Sequence, residues 1–397
     1  MRVGGLLGVR RARPPLLAAA LICLLAVAAA GASTARAAAQ PVARAAATPA
    51  PAVAARSGIL IDRVTGRVLW SKRPDLRLPM ASTTKIMTLL IVLEHRRDAL
   101  DDSFVVSDDV AGSTGVGLQP GDTITYREAI TGMIVRSATD CTLALAADVA
   151  GSEDRFVVLM NEHARAWGLT RTRYTNASGA PEDPAHVTTA RDLASLGRRA
   201  MRDATVREFV TIKDALVTWE SGSFQCHSLN WILDYSWGEG IKPGYTPLAK
   251  YCLAAAGQPG LRPLISTTLH EPSRPRNMRD NAALLLYGSS LYGRRDLVHS
   301  GDVVARQTMP DASVLTCVAG GALADIVVRK GAAVKRTVAL APGLTAAPSP
   351  GTYVGTVSYR ADGESLGVVD LYATAPPATP AVAAPSLAPS LAVPAGL

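Results

Sequence analysis

Beyond residue 40 the chain has no apolar run approaching the roughly 18 to 20 residues needed to cross a bilayer. It has no runs of Lys or Arg, no cysteines at metal-ligand spacing and no internal repeat. These absences argue against a polytopic membrane protein, a nucleic-acid binder, a metal module and a repeat array. Cysteine is scarce: Cys23 lies near the N-terminus, and Cys141, Cys226, Cys252 and Cys317 are widely and irregularly spaced. Those four allow three complete disulfide pairings, and their spacing does not choose among them. Charge is also sparse, 19% against 48% hydrophobic residues over 397 positions. That balance suits a globular core in a chain long enough for two domains.

The net charge of +8 owes much to one end. Residues 1–37 hold Arg2, Arg10, Arg11, Arg13 and Arg36 and no acid, so five of the 41 basic residues lie there. The remainder carries 36 bases and 33 acids, a net +3. After the basic start come an apolar stretch, Leu16 to Ala30, and small residues ending in Ala35-Arg36-Ala37. This is the layout of a secretory signal peptide with an Ala-x-Ala cleavage site, and an uncleaved anchor is the alternative. The Arg10-Arg11 pair hints at twin-arginine export, although its flanks fit poorly. The expected location is outside the cytoplasm, in the periplasm or the cell wall.

Residues 38–56 are rich in Ala and Pro and read as a linker, and residues 374–397 as an extended, disordered tail without a charged side chain. Ordered structure is expected from Gly58. Two β-patterned runs, Gly58–Asp62 and Arg67–Trp70, flank Thr65-Gly66 as a hairpin. Ser82 opens a helical pattern carried by Ile86, Leu89, Leu90 and Leu93. Further helical patterns span about 127–135, 140–150, 153–167 and 276–287, and Thr189 to Asp192 fits a capping box. Lys250 to Ala256 reads as a buried strand. Strands at both ends with helices between them suggest a helix-covered sheet over 57–295. Between 300 and 373 short β-patterned runs (324–329, 337–340, 351–359) suggest a small all-β domain.

Ser82-Thr83-Thr84-Lys85 places a serine and a lysine on one helix face. A serine hydroxyl becomes a nucleophile when a base lies within hydrogen-bond reach, and burial can lower a lysine's pKa enough for that task. Alone, the pair reads more readily as an N-capping serine with a solvent-facing lysine. The flanks change the balance. Leu78 to Thr88 resembles the nucleophile segment of low-molecular-mass penicillin-binding proteins, the D-alanyl-D-alanine carboxypeptidases, whose superfamily carries S-x-x-K, S-x-N-type and K-T-G elements. Arg136 to Asp140 resembles the second element and Gly240 to Thr246 the third. Asn176 to Gly179, Thr189 to Leu193 and His227 to Asn230 also resemble family segments, and the likeness covers about 57–290.

The resemblance implies an α/β (α+β) fold of the β-lactamase/transpeptidase type, an antiparallel sheet with helices on both faces, followed by a small β domain. It implies Ser82 as nucleophile, Lys85 as its base and Ser137 as a proton relay. Lys242, Thr139, Gly244, Tyr245 and Arg276 would serve substrate binding, with an oxyanion hole formed by the N–H groups of Ser82 and Tyr245. Arg276, give or take one alignment step, would help bind the terminal carboxylate. The reaction would remove terminal D-alanine from peptidoglycan stem peptides through an acyl-enzyme, with no metal or organic cofactor. β-Lactams would acylate Ser82, and association with the wall or membrane surface is compatible; no nucleic acid is expected.

Two positions depart from the family. Thr139 stands where the family carries Asn, and Pro243 replaces the middle Thr of K-T-G. Threonine lacks the donor–acceptor pair of an amide, and proline lacks both the hydroxyl and a backbone N–H. A catalytically weak wall-binding homologue is therefore one alternative. A β-lactamase is another, although no convincing glutamate stands near Asn176–Pro184 apart from Glu182. His163, His186 and His270 suggest packing or surface roles, and Trp219, Trp231 and Trp237 a place around the cleft edge.

Overall fold

The computed structural model describes residues 48–373. The leader at 1–37 with its Ala-x-Ala site, the first part of the linker and the 374–397 tail lie outside the described residues.

The expected hairpin is present as strands β1 (Ser57–Asp62) and β2 (Val68–Lys72). Three later strands complete an antiparallel sheet: β3 (Gly238–Thr246), β4 (Lys250–Gly257) and β5 (Leu264–Glu271). The order is β2-β1-β5-β4-β3, so β3, late in the sequence, forms one edge. The sheet is covered on both faces, which is why its inner strands read as continuous apolar runs. Along β4, Leu253 and Ala255 face one core cluster, and Cys252, Ala254 and Ala256 face the other.

Among the described residues seven α-helices accompany this sheet: α1 (Lys85–Arg96), α2 (Tyr126–Thr131), α3 (Thr139–Ala150), α4 (Glu153–Ala166), α5 (Ala190–Ala200), α6 (Ala204–Val210) and α7 (Arg274–Ser290). α5 and α7 lie on opposite faces. On the α5 side, the Thr267 hydroxyl donates to the Ala190 carbonyl, and Gly197 lets Ile241 and Ile265 approach. On the α7 side, Asn277 and Asn281 both donate to the Thr268 hydroxyl, and Gly288 admits Leu60 and Leu264. The periodic pattern at 127–135 becomes α2 followed by one π-helical turn, Gly132–Arg136. Thr189 caps α5 by accepting from the Asp192 N–H. The reciprocal half of the capping box is missing, because the Asp192 carboxylate accepts instead from the Arg171 N–H and the Thr172 hydroxyl.

The final segment forms a second five-stranded antiparallel sheet. Its strands are β6 (Val303–Thr308), β7 (Val314–Ala319), β8 (Lys335–Leu340), β9 (Tyr353–Ala361) and β10 (Glu364–Ala373), ordered β6-β7-β10-β9-β8. It has its own core around Leu315, Val354, Val357 and Leu371. A polar knot ties it to the first sheet: Asp62, fully buried, accepts from Arg262 and the Tyr292 hydroxyl, and Arg262 also pairs with Glu364. Cys141, Cys226, Cys252 and Cys317 are buried and free among the described residues, so none of the three pairings forms.

Candidate active site

Ser82 lies in a single 3-10 turn, Ala81–Thr84, that runs into α1. Its side chain caps neither element, which removes the N-cap explanation for it. Its N–H has no backbone acceptor among the described residues. The turn is held from beneath. Thr84 donates to the Ala81 carbonyl at 2.6 Å and contacts Nε2 of His186 at 2.7 Å. His186 Nδ1 accepts from the Thr175 N–H, so its proton sits on Nε2 and points at Thr84. Burial pushes this imidazole down to about 4, so it is a neutral strut.

Lys85 is fully buried, contrary to a solvent-facing lysine. Its Nζ lies 3.4 Å from Ser82 Oγ and donates to the Ser178 carbonyl at 2.7 Å. Burial pulls its pKa down to about 7, against the opposing pull of Cys141, Asp140 and Glu153. A neutral fraction is thus available near neutral pH.

The Ser178 carbonyl is aimed by its loop. The Asn176 side chain accepts from the Gly179 N–H and donates to the Pro181 carbonyl. Ala177 is pinned twice, by Thr88 at its carbonyl and by the Glu153 carboxylate at its N–H. Gly179 has φ +84°, and a Cβ there would stand 2.1 Å from the Ala81 carbonyl oxygen. Only glycine lets this loop pass so close under the serine turn.

Ser137 follows the π-helical turn with φ 64° and ψ 31°, a left-handed conformation that is rare for a residue with a Cβ. It lines the same cleft as Ser82. Nearby, the Asp140 carboxylate accepts from the N–H groups of Val116, Gly117 and Leu118 and fixes that loop against the start of α3. Thr139 opens α3 and is half-buried, but it is not part of the cleft lining.

The edge strand β3 supplies the opposite wall. Pro243, Gly244 and Tyr245 line the cleft, and Gly244 comes so close that a Cβ would stand 2.8 Å from the Ser82 nitrogen. Lys242 is fully buried, with its pKa pushed well below the usual lysine range by burial and then by the neighbouring charge of Lys85. Proline is tolerated inside a strand only where its nitrogen faces away from the partner strand. Strand geometry repeats every two residues, so the Tyr245 N–H then faces the same open edge as Pro243. The Tyr245 ring packs on Tyr251, 4.4 Å between centroids.

The remaining wall of this cleft, of about 210 Å³, comes from Leu229, Tyr251, Cys252 and the first turn of α7. Here the placement of the arginine differs from the sequence expectation. Arg276 turns along its own helix toward Asp280, 3.6 Å away, and is not part of the lining. Arg274, two residues earlier, is. Side chains two apart on a helix point to different faces, so only one of the two arginines can face the cleft.

Sequence reasoning did not assign Arg274, Asn277, Met278, Tyr251 or the Ser178 carbonyl to the site. Only tertiary packing brings them there. His163 bridges the Leu159 carbonyl and Glu94, away from the cleft lining, and His227 pairs with Asp214 on an exposed hairpin. Of the three tryptophans, Trp231 reaches the cleft edge through Arg274, Trp237 stacks on Tyr235, and Trp219 closes the 214–227 hairpin. Glu182 is fully exposed and accepts from the Leu248 N–H outside the cleft lining. No cluster of metal-ligating side chains occurs among the described residues.

A family model described as D-alanyl-D-alanine carboxypeptidase matches residues 43–273. The D-alanyl-D-alanine carboxypeptidase DacF of Bacillus subtilis is 28% identical over 323 residues, 79% of this chain and 83% of that protein. DacC of Escherichia coli, a D-alanyl-D-alanine carboxypeptidase, is 31% identical over 334 residues, 80% of this chain and 82% of its own length. Among solved structures, penicillin binding protein 5 from Haemophilus influenzae superposes with a TM-score of 0.59 at 26% identity, covering 83% of this chain and 98% of that one.

Proposed function

We propose, from the premise that this chain belongs to the D-alanyl-D-alanine carboxypeptidase family, that its chemistry runs through an acyl-enzyme on Ser82. The chain is a serine-type D-Ala-D-Ala carboxypeptidase of peptidoglycan metabolism. The observation that carries the residue assignment is the buried Lys85 amine 3.4 Å from the Ser82 hydroxyl. Distances slightly beyond hydrogen-bond reach are common before substrate binds and tightens the site.

In this reading neutral Lys85 takes the Ser82 proton as Oγ attacks the carbonyl between the two D-alanines. The developing oxyanion accepts from the N–H groups of Ser82 and Tyr245. Ser137, held toward the cleft by its left-handed backbone, passes a proton to the leaving nitrogen. The C–N bond breaks and D-alanine departs. Water then attacks the Ser82 ester, giving the shortened peptide acid and free serine. Gly244 contributes by having no side chain, which keeps β3 against the serine turn.

The terminal carboxylate would be met by Arg274 at the N-terminus of α7, where the helix dipole also favours an anion. Lys242 would regain its charge as that carboxylate enters and offsets its burial. Pro243 offers no hydroxyl to the same group. Thr139, outside the lining, would act only indirectly. The natural substrates would be peptidoglycan stem peptides, and β-lactams would acylate Ser82 as mimics of them. The signal-peptide layout of residues 1–37 and a substrate in the wall both favour export to the periplasm or cell wall. No helix among the described residues is long and apolar enough to cross a membrane.

The test is incubation with a penicillin and, separately, with a peptide ending in D-Ala-D-Ala. A stable mass increase of one penicillin on the Ser82 peptide, together with D-alanine release, is the expected result. A transient adduct that turns over rapidly would favour a β-lactamase, and no adduct at all the catalytically weak homologue.

A further inference from the structure

We infer that Trp231 is a positioning residue for substrate recognition, holding the Arg274 guanidinium over the cleft; the inference rests on the reading of Arg274 as the carboxylate contact. Arg274 is the first residue of α7, where the positive end of the helix dipole repels a cation. No acidic side chain among the described residues pairs with it, and Asp280, the acid of that helix nearest its start, faces Arg276. Its partner is an aromatic face: the guanidinium carbon lies 5.3 Å from the centroid of the Trp231 ring. That is within the range in which the ring quadrupole attracts a cation.

Trp231 is 39% exposed, while the next two residues, Ile232 and Leu233, are buried in the core. The short turn Trp231–Asp234 is set by Asn230, whose side chain accepts from the Ile232 N–H. The turn therefore fixes where the indole stands, and the indole fixes the arginine. The arrangement bears more weight here than it would with a hydroxyl at position 243, because Pro243 leaves the carboxylate one fewer polar contact.

The experiment is a double-mutant cycle on D-alanine release from a D-Ala-D-Ala peptide. Trp231→Ala should raise KM about threefold with kcat little changed, the size expected of an exposed cation–π pair. Trp231→Phe should recover most of that loss. In an Arg274→Ala background, Trp231→Ala should add nothing. A loss of the same size in both backgrounds, or none in either, overturns the inference. An unchanged KM for Arg274→Ala alone would instead place the failure in the carboxylate assignment beneath it. Melting temperatures within about 2 °C of wild type exclude misfolding as the cause of any loss.

Discussion

Lys85 Nζ lies nearer to the Ser178 carbonyl, at 2.7 Å, than to the Ser82 hydroxyl, at 3.4 Å. The carbonyl orients the amine and stabilises its protonated form, while burial favours the neutral one. Burial, opposed by the pull of Cys141, Asp140 and Glu153, brings its pKa down to about 7. The proposed catalytic pair is thus part of a triangle, with its third corner supplied by a loop 93 residues further along the chain.

Ser82→Ala should abolish covalent labelling by penicillin and D-alanine release while leaving the fold intact. No hydrogen bond of the serine turn depends on the Ser82 hydroxyl, since the turn is held by Thr83 and Thr84. Intact mass after incubation with penicillin, with circular dichroism as the folding control, checks this. An adduct on the alanine variant would sink the assignment.

The acylation rate should rise with pH through about 7. Below that value Lys85 is protonated and has no lone pair for the serine proton. The rate should therefore fall about tenfold for each pH unit on the acid side and level off above pH 8. Stopped-flow acylation by a chromogenic β-lactam between pH 5 and 9 would show the inflection. A flat profile would exclude Lys85 as the titrating base.

Pro243→Thr should raise kcat/KM for D-alanine release about tenfold, the value of one recovered polar contact to a charged group, roughly 1.5 kcal/mol. Thr139→Asn should help less, because Thr139 lies outside the cleft lining. The two changes should not be additive if they serve the same ligand. Kinetics of wild type, both singles and the double decide the matter. A double variant no faster than wild type would show that these positions do not limit the enzyme.

Gly179→Ala should lower stability by more than about 2 kcal/mol and reduce acylation with it. The new Cβ would collide with the Ala81 carbonyl in a backbone conformation that suits glycine. Relaxing the clash would also move the Ser178 carbonyl off Lys85. Urea denaturation and acylation rate measured on one preparation test both effects.

Glu271 provides a pH test of stability that does not involve the serine. It is fully buried, and neither carboxyl oxygen has a hydrogen-bond partner of normal geometry among the described residues. Burial and the neighbouring Asp280 push it up to about 8 from an ordinary 4.5, while Arg276 pulls the other way. Between those values the folded chain holds a proton that the unfolded chain releases, so stability falls as pH rises through that window. Glu271→Gln should remove this part of the fall. Melting temperatures at pH 5 and pH 8.5 should differ less in the variant than in wild type, and an equal difference would refute the account.

Local pattern alone determined a good deal of this protein. Alternation and turn residues marked the first hairpin, and helical spacing behind Ser82 marked α1. The short runs after residue 300 marked strands of a β-rich segment, although Glu364–Ala373 went unread because its glycine and charged residues interrupt the alternation. The resemblance of the flanking segments to penicillin-binding proteins singled out Ser82, Lys85, Ser137 and Lys242. Only the tertiary structure decided what those residues are. Lys85 is suited to the proposed role of base because the fold buries it, and burial is a property of packing between segments distant in sequence. The Asn176–Gly179 loop acquired its task by passing beneath the serine turn. Arg274 rather than Arg276 reached the cleft because the direction of a side chain on α7 depends on the rotation of the whole helix against the sheet. The four cysteines of the described residues stayed unpaired for the same reason: pairing depends on tertiary geometry, which spacing along the chain does not encode.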